Sequence, residues 1–253
     1  MPGLHFREAR APEGVRLYAI GDVHGRLDLL AAMHDAIAAE IARERVADWR
    51  VVHLGDYVDR GPDSKGVLDF LIDKRMRDAR FLCLSGNHEQ GLLDFLEAPS
   101  ATGLFVRFGG VETARSYGVE LTAGSIGAGH RALAAAIPAG HREFLGSLPT
   151  SASFGDFFFC HAGIRPGTPL ARQDPHDLVW IRDEFLLHAG LYEKVVVHGH
   201  TPGTAADIRP NRVNLDSFAC GSGRLSALAV EGGAKRILEA TVEAVFQRAA
   251  TTP

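Results

Sequence analysis

Apolar residues along this chain change period several times, and each change marks an element. Residues 16–21 (RLYAIG) form an apolar run of strand length. From 26 to 45 the spacing becomes helical, with Leu27, Leu30, Ala31, His34, Ile37, Ala38 and Ile41 on one face. Residues 50–54 are β-rich. Val67, Leu68, Leu71 and Ile72 place a helix over 64–76, 81–84 is a third strand, and 88–96 reads as a short helix. This βαβα alternation predicts an α/β chain, with a mixed or parallel sheet and helices packed on it.

Residues 98–153 break the rhythm. They are rich in Ala and Gly and read as several short helices. Pro138 opens the last of these, which carries Phe144, Leu145 and Leu148 before Pro149. Strands return at 157–160, 194–197, 212–215, 225–230 and about 236–238, with less helix between them, so the second half is richer in β. No internal repeat, low-complexity tract or linker interrupts 1–253. The expected organisation is one domain with 98–153 as an inserted helical cap.

Composition narrows the function classes. Hydrophobic residues make up 46% of the 253 residues, an ordinary value for a globular chain. No apolar run approaches the ~18 residues that span a bilayer. Residues 1–14 mix charges with prolines and do not resemble a secretory signal, so the expected compartment is the cytoplasm. The net charge of −4, without a block of five or more Lys or Arg, argues against nucleic-acid polymers and membrane surfaces as partners. Cys83, Cys160 and Cys220 are distant and odd in number, which argues against a disulfide framework or a cysteine zinc site. Reduced, buried thiols are expected. Oligomeric state is not encoded in any recognisable pattern.

The informative residues lie where strands end. The first three expected strands run into GDVHG (21–25), GDYVDRG (55–61) and GNHE (86–89), and later ones into HAG (161–163) and HGHTP (198–202). Each motif alone has an ordinary reading: GDVHG as a polar turn, GNHE as a helix start with Asn87 as cap, HGHTP as a solvated loop. Two carboxylates and an arginine in one turn are harder to explain without partners. In α/β sheets, loops at the carboxyl ends of parallel strands meet in one crevice. Asp22, His24, Asp56, Asn87 and the later histidines would then converge. Oxygen and imidazole donors without thiolate suit manganese, iron or zinc. There are more donors than one ion needs, and a bridging carboxylate would allow a two-ion site for displacement at phosphorus. Arg60 adds a planar cation for phosphate oxygens.

In that order, GDVHG, GDYVDRG, GNHE, HAG and HGHTP resemble the metallophosphoesterase superfamily. Within it they are most similar to serine/threonine phosphoprotein phosphatases of the bacterial and phage type, over about 16–230. The resemblance implies a β-sandwich flanked by helices and two divalent ions, manganese first, with iron or zinc as alternatives. It implies Asp22, His24 and Asp56 on the first ion, with Asp56 bridging to a second held by Asn87, His161 and His200. A hydroxide between the ions would attack phosphorus in line. His88 would protonate the leaving alkoxide, Asp59 would orient His88, and Arg60 and Arg182 (the latter in a W-x-R pattern, Trp180 to Arg182) would bind the phosphoryl group. Asp216 would stand behind the ligands and fix a ligand histidine. His198 would face the same side as His200 on a regular strand, either as a ligand or, more in keeping with the pattern, in a supporting or packing position.

Two departures bear on substrate. Many relatives carry arginine before the GNHE glycine, where this chain has Ser85; Arg107 is a candidate replacement. Segment 98–153 is hard to match, and specificity would reside there. The resulting expectation is a serine/threonine protein phosphatase acting on a phosphoprotein or phosphopeptide. One rival is a dinucleoside polyphosphate (diadenosine tetraphosphate) hydrolase, whose branch resembles GNHD and usually lacks an aspartate before the arginine. The other is a metal-binding scaffold without catalysis, which should have lost ligands or the acid; here all are present.

Overall fold

The computed structural model describes residues 3–243. The first third follows the predicted alternation: β1 (Val15–Ile20), α1 (Leu27–Glu44), β2 (Asp48–His53), α2 (Ser64–Arg77), β3 (Phe81–Cys83) and α3 (Asn87–Glu97). Helices α4 (Leu104–Arg107), α5 (Gly110–Ser116), α6 (Ile126–Ala136) and α7 (Ala139–Gly146) come next. Then come β4 (Ser151–Phe154), β5 (Phe157–Cys160), α8 (Pro175–Trp180), α9 (Asp183–Leu186), β6 (Val195–His198), β7 (Asp207–Ile208) and β8 (Arg212–Asn214). A single turn, α10 (Ala219–Ser222), leads into the hairpin β9 (Arg224–Glu231) and β10 (Ala234–Thr241).

These strands build two five-stranded mixed sheets, ordered β10-β9-β1-β2-β3 and β4-β5-β6-β8-β7. The alternation of side chains along each strand decides which layer each residue joins. On β1, Leu17 and Ala19 point into the cluster between the sheets, whereas Tyr18 and Ile20 face the helices. On β5, Phe157 and Phe159 meet that inter-sheet cluster, and Phe158 and Cys160 meet Leu178, Ile181 and Phe185 outside it. The result is a β-sandwich with helices on both outer faces. The βαβα rhythm suggested one sheet. Two arise because strands buried on both faces, such as FFFC and VVVH, need a covering layer on each side.

Strands β1, β2 and β3 run parallel to one another, as do β5, β6 and β8. Their carboxyl ends therefore carry two sets of turns to one edge of the sandwich. Helix α1 holds its sheet through Leu30, Met33 and Ile37, spaced as one helical face. Helix α2 starts at Asp63, whose carboxylate accepts the Gly66 N–H at 2.8 Å.

Segment 98–153 is helical only to 146. Its helices lie against α2 and α3, and Phe105, Leu133 and Leu145 join the same cluster as Leu30 and Met33. Residues 151–154 instead form β4, an edge strand paired antiparallel to β5. In the run SASF only Ala152 and Phe154 face the inter-sheet cluster, too short an alternation to mark a strand by itself, and pairing with β5 completes it. All three cysteines are free thiols, two buried and Cys220 half-buried. Among the described residues no helix is long and apolar enough to cross a membrane.

Candidate metal centre

Asp56, in the turn after β2, stands at the middle of the converging side chains. Its Oδ1 lies 3.3 Å from His161 Nε2, and its Oδ2 lies 3.5 Å from His24 Nε2 and 3.9 Å from His88 Nε2. Two groups of possible metal donors share it: His24, Asp56 and His88 on one side, Asp56, His161 and His200 on the other. Asn87 Oδ1 adjoins the second group, 2.9 Å from His161 Nε2 and 2.8 Å from His200 Nδ1. Asp22 enters from behind His200, its Oδ2 accepting the His200 N–H at 3.0 Å. Every one of these residues is buried. A Cβ on Gly199 would fall 1.9 Å from Asp22 Oδ1, so only glycine admits the carboxylate there.

The turns are strained where the chemistry sits. Seven described non-glycine residues adopt positive φ, and five of them are His24, Asp56, Asp59, Arg60 and His200. Left-handed backbone at side chains other than Asn or Asp is uncommon, and it persists only where surrounding contacts hold it. Glu89 supplies much of that hold. Its Oε2 accepts the N–H groups of Asp56 and Gly86 (2.8 Å each), and its Oε1 accepts the Tyr57 N–H at 2.7 Å. Burial pushes its carboxyl up to about 7, with the Asp56 charge adding to the rise. The third motif thus clamps the turn of the second.

The donor atoms are oriented from outside. His24 Nδ1 donates to the Val58 carbonyl (2.8 Å) and His161 Nδ1 to that of Leu54 (3.0 Å), which leaves each Nε2 as a lone pair aimed inward. His161 Nε2 then faces Asp56 Oδ1, an acceptor facing an acceptor. Asp22 Oδ1, His24 Nε2 and His200 Nε2 are buried without hydrogen-bond partners. Burial holds His24 down at about 3 and His200 at about 2, so both are neutral imidazoles, the form that binds metal. Burial and then the charges of Asp216 and Asp56 raise Asp22 well above the carboxylate range. Crowded carboxylates, inward lone pairs and orphaned buried atoms are the pattern that divalent cations satisfy, and the donor set of oxygen and imidazole fits them.

Beside this group, His88 Nδ1 lies 2.7 Å from Asp59 Oδ2, both residues being buried. Arg60 Nη2 lies 3.0 Å from His88 Nε2. Arginine has only donors, so Nε2 accepts and the ring proton sits on Nδ1, toward Asp59. Arg182 reaches the edge, its Nη2 donating to the His200 carbonyl at 3.3 Å, and Trp180 stands edge-on to the His200 ring.

Asp216 differs from expectation in its partner, and His198, which takes the expected packing role, differs in its direction. Asp216 lies near Asp22 and raises its pKa, but Asp216 Oδ1 accepts the Phe218 N–H (2.9 Å) rather than fixing a ligand histidine. His198 does not share a side with His200: β6 ends at His198, and His200 turns away at φ 66°. The His198 ring packs against Phe185, and its Nδ1 bonds the Gly199 carbonyl at 3.0 Å. Arg107 lies over the Phe108 ring, and Ser85 Oγ donates to the Gly86 carbonyl at 3.3 Å. Sequence reading undervalued Glu89, visible only as a first-turn acid of α3. It also missed Thr113, whose hydroxyl donates to Asp59 Oδ1 at 2.7 Å. Nothing local marks Thr113, because its partner is 54 residues away.

The sequence profile of the calcineurin-like phosphoesterase family matches residues 15–238. The chain belongs to this family. Among curated calcineurin-like relatives, the symmetrical bis(5'-nucleosyl)-tetraphosphatase of Pseudomonas fluorescens is 40% identical over 76 residues, 30% of this chain and 24% of that protein. Serine/threonine-protein phosphatase 1 of Salmonella typhimurium is 30% identical over 105 residues, 42% of this chain and 44% of that one. The alignments thus span about a quarter to under half of these relatives' lengths. A solved structure described as "a putative diadenosine tetraphosphatase" superposes with TM-score 0.62 and 23% identity, covering 90% of this chain and 94% of that one, a likeness of fold.

Proposed function

We propose that this calcineurin-like phosphoesterase is a metal-dependent phosphomonoesterase that removes phosphate from phosphoserine and phosphothreonine in proteins. The observation that carries the reading is the buried Asp59–His88 pair, 2.7 Å apart and next to Arg60. An alkoxide leaves as a strong base and needs a proton delivered as its bond to phosphorus breaks. A nucleotide leaving from a polyphosphate is a far weaker base and gains little from such an acid. Once Arg60 lets go of Nε2, His88 can take up a second proton there, the imidazolium being held by the Asp59 carboxylate, and it is this Nε2 proton that would pass to the serine or threonine oxygen. Arg60 would exchange Nε2 of His88 for the phosphoryl oxygens, and Arg182 would face them from the α8–α9 side. Asp22, His24, Asp56, Asn87, His161 and His200 would hold two divalent cations, manganese being our choice over iron or zinc. These would supply an activated water and neutralise phosphate charge.

The likeness to the Pseudomonas tetraphosphatase favours a second reading, hydrolysis of dinucleoside polyphosphates at the same centre. The test is kcat/KM on a phosphoserine peptide and on diadenosine tetraphosphate, with metal-stripped protein reloaded with Mn, Fe or Zn. The first reading requires the peptide to be the better substrate. Preference for the dinucleotide overturns it.

A further inference from the structure

Segment 98–146 reaches the acid pair through one buried hydroxyl. Thr113, on α5, has no exposed surface. Its Oγ1 lies 2.7 Å from Asp59 Oδ1, 2.8 Å from Asp59 N and 2.9 Å from Ser64 Oγ. The proton positions follow from the donor inventory. A backbone N–H only donates and a carboxylate only accepts, so Thr113 gives its single proton to Oδ1 and accepts from the amide. Ser64 must then donate to Thr113. The carboxylate's other oxygen, Oδ2, meets His88 Nδ1 at 2.7 Å. Both oxygens of Asp59 are therefore fixed, one by His88 and one by Thr113.

Asp59 itself sits at φ 70°, a backbone conformation that the surrounding contacts hold. The same segment docks a second time one residue on. The Arg60 N–H donates to the Gly109 carbonyl at 3.1 Å, and a Cβ on Gly109 (φ 107°) would fall 2.4 Å from Arg60 N. Helix α5 and the turn before it thus buttress both members of the Asp59–Arg60 pair.

We propose that Thr113 is a positioning residue: it locks the Asp59 carboxylate in the rotamer that aims His88 at the leaving oxygen. The proposal rests on reading His88 as the acid. Its signature is leaving-group dependence. Thr113→Val keeps the shape and removes the hydroxyl; Thr113→Ser keeps the hydroxyl. With Mn-loaded protein, kcat is measured on a phosphoserine peptide and on 4-nitrophenyl phosphate, whose leaving group needs little protonation. Thr113→Val is expected to lower the peptide-to-aryl ratio of kcat about ten-fold, the scale for losing an outer partner of a reacting group. Thr113→Ser restores the ratio, and His88→Asn lowers it further. The low-field proton resonance of His88 Nδ1–H should persist in the Ser variant and broaden in the Val variant.

A ratio unchanged in Thr113→Val while His88→Asn lowers it overturns the role of Thr113 and leaves His88 as the acid. A ratio unchanged in His88→Asn removes the acid and Thr113 with it. Should Thr113→Val not fold, Thr113→Ala also removes the hydroxyl with less bulk and should lower the ratio in the same direction; an unmoved ratio there overturns the proposal.

Discussion

Two groups of buried histidines in this fold behave differently. Around Asp56, His24 and His200 are neutral, strained in backbone and left with unpartnered nitrogens. Between α1 and β2, His34 and His53 are neutral too, but their Nε2 atoms meet at 2.9 Å and His53 Nδ1 bonds the Leu82 carbonyl at 3.0 Å. The rings of the second pair lie nearly coplanar and end to end, with Phe70 edge-on to His34, and both backbones are regular. Burial of a histidine is therefore no mark of a site. The mark is convergence with carboxylates in turns whose backbone geometry only the tertiary contacts maintain.

That contrast can be broken by substitution. Asp56→Asn should abolish loading of both ions, measured by metal analysis, and cut turnover by well over the ~10²-fold expected for an outer partner. Retained metal and activity would put the two histidine groups on an equal footing. His88→Ala should keep metal bound and lower kcat on phosphoserine peptides by ~10²–10⁴, with a smaller loss on aryl phosphates. Equal losses on both esters would remove His88 as acid. Glu89→Gln tests the strain rather than the ligands. It should loosen the turn after β2, cost about 10- to 100-fold in activity or metal affinity, and lower Tm. An unchanged variant would show that the turn holds itself.

The smallest effect belongs to the satisfied pair. Burial holds His34 down at about 2 and His53 at about 4, against an ordinary 6.5. Folded histidines whose pKa is lowered stay neutral while the unfolded chain takes up protons, so stability present above about 6.5 is lost as pH falls toward 4. Replacing His34 by Leu should make that loss shallower by about 1.4 kcal/mol per pH unit between those values. Activity at neutral pH should stay intact. Urea titrations across that window decide the point, and an identical slope would contradict the assignment.

Much of the site was legible because its residues cluster in short motifs. GDVHG, GDYVDRG and GNHE follow strands that their own apolar runs predict, and glycine flanks each turn. The strand at 151–154 was not legible, since the alternation in SASF offers only Ala152 and Phe154 and follows a helical stretch, and the strand is completed by pairing with β5. The directions of His198 and His200 were not either, because regular alternation stops where β6 ends. Glu89 and Thr113 act through hydrogen bonds that span 33 and 54 residues, and no local pattern encodes such a span.

What this sequence determined alone was the order of elements, the donor types and their placement after strands, all properties of neighbours within a few residues. The face-to-face meeting of two sheets belongs to the tertiary structure. It brings the Asp22 carboxylate to the backbone of His200 across 178 residues and sets a hydroxyl from α5 against Asp59. Periodicity reports only which side of its own element a residue faces. What lies opposite depends on how the layers stack, and that is decided when the two apolar faces close on each other.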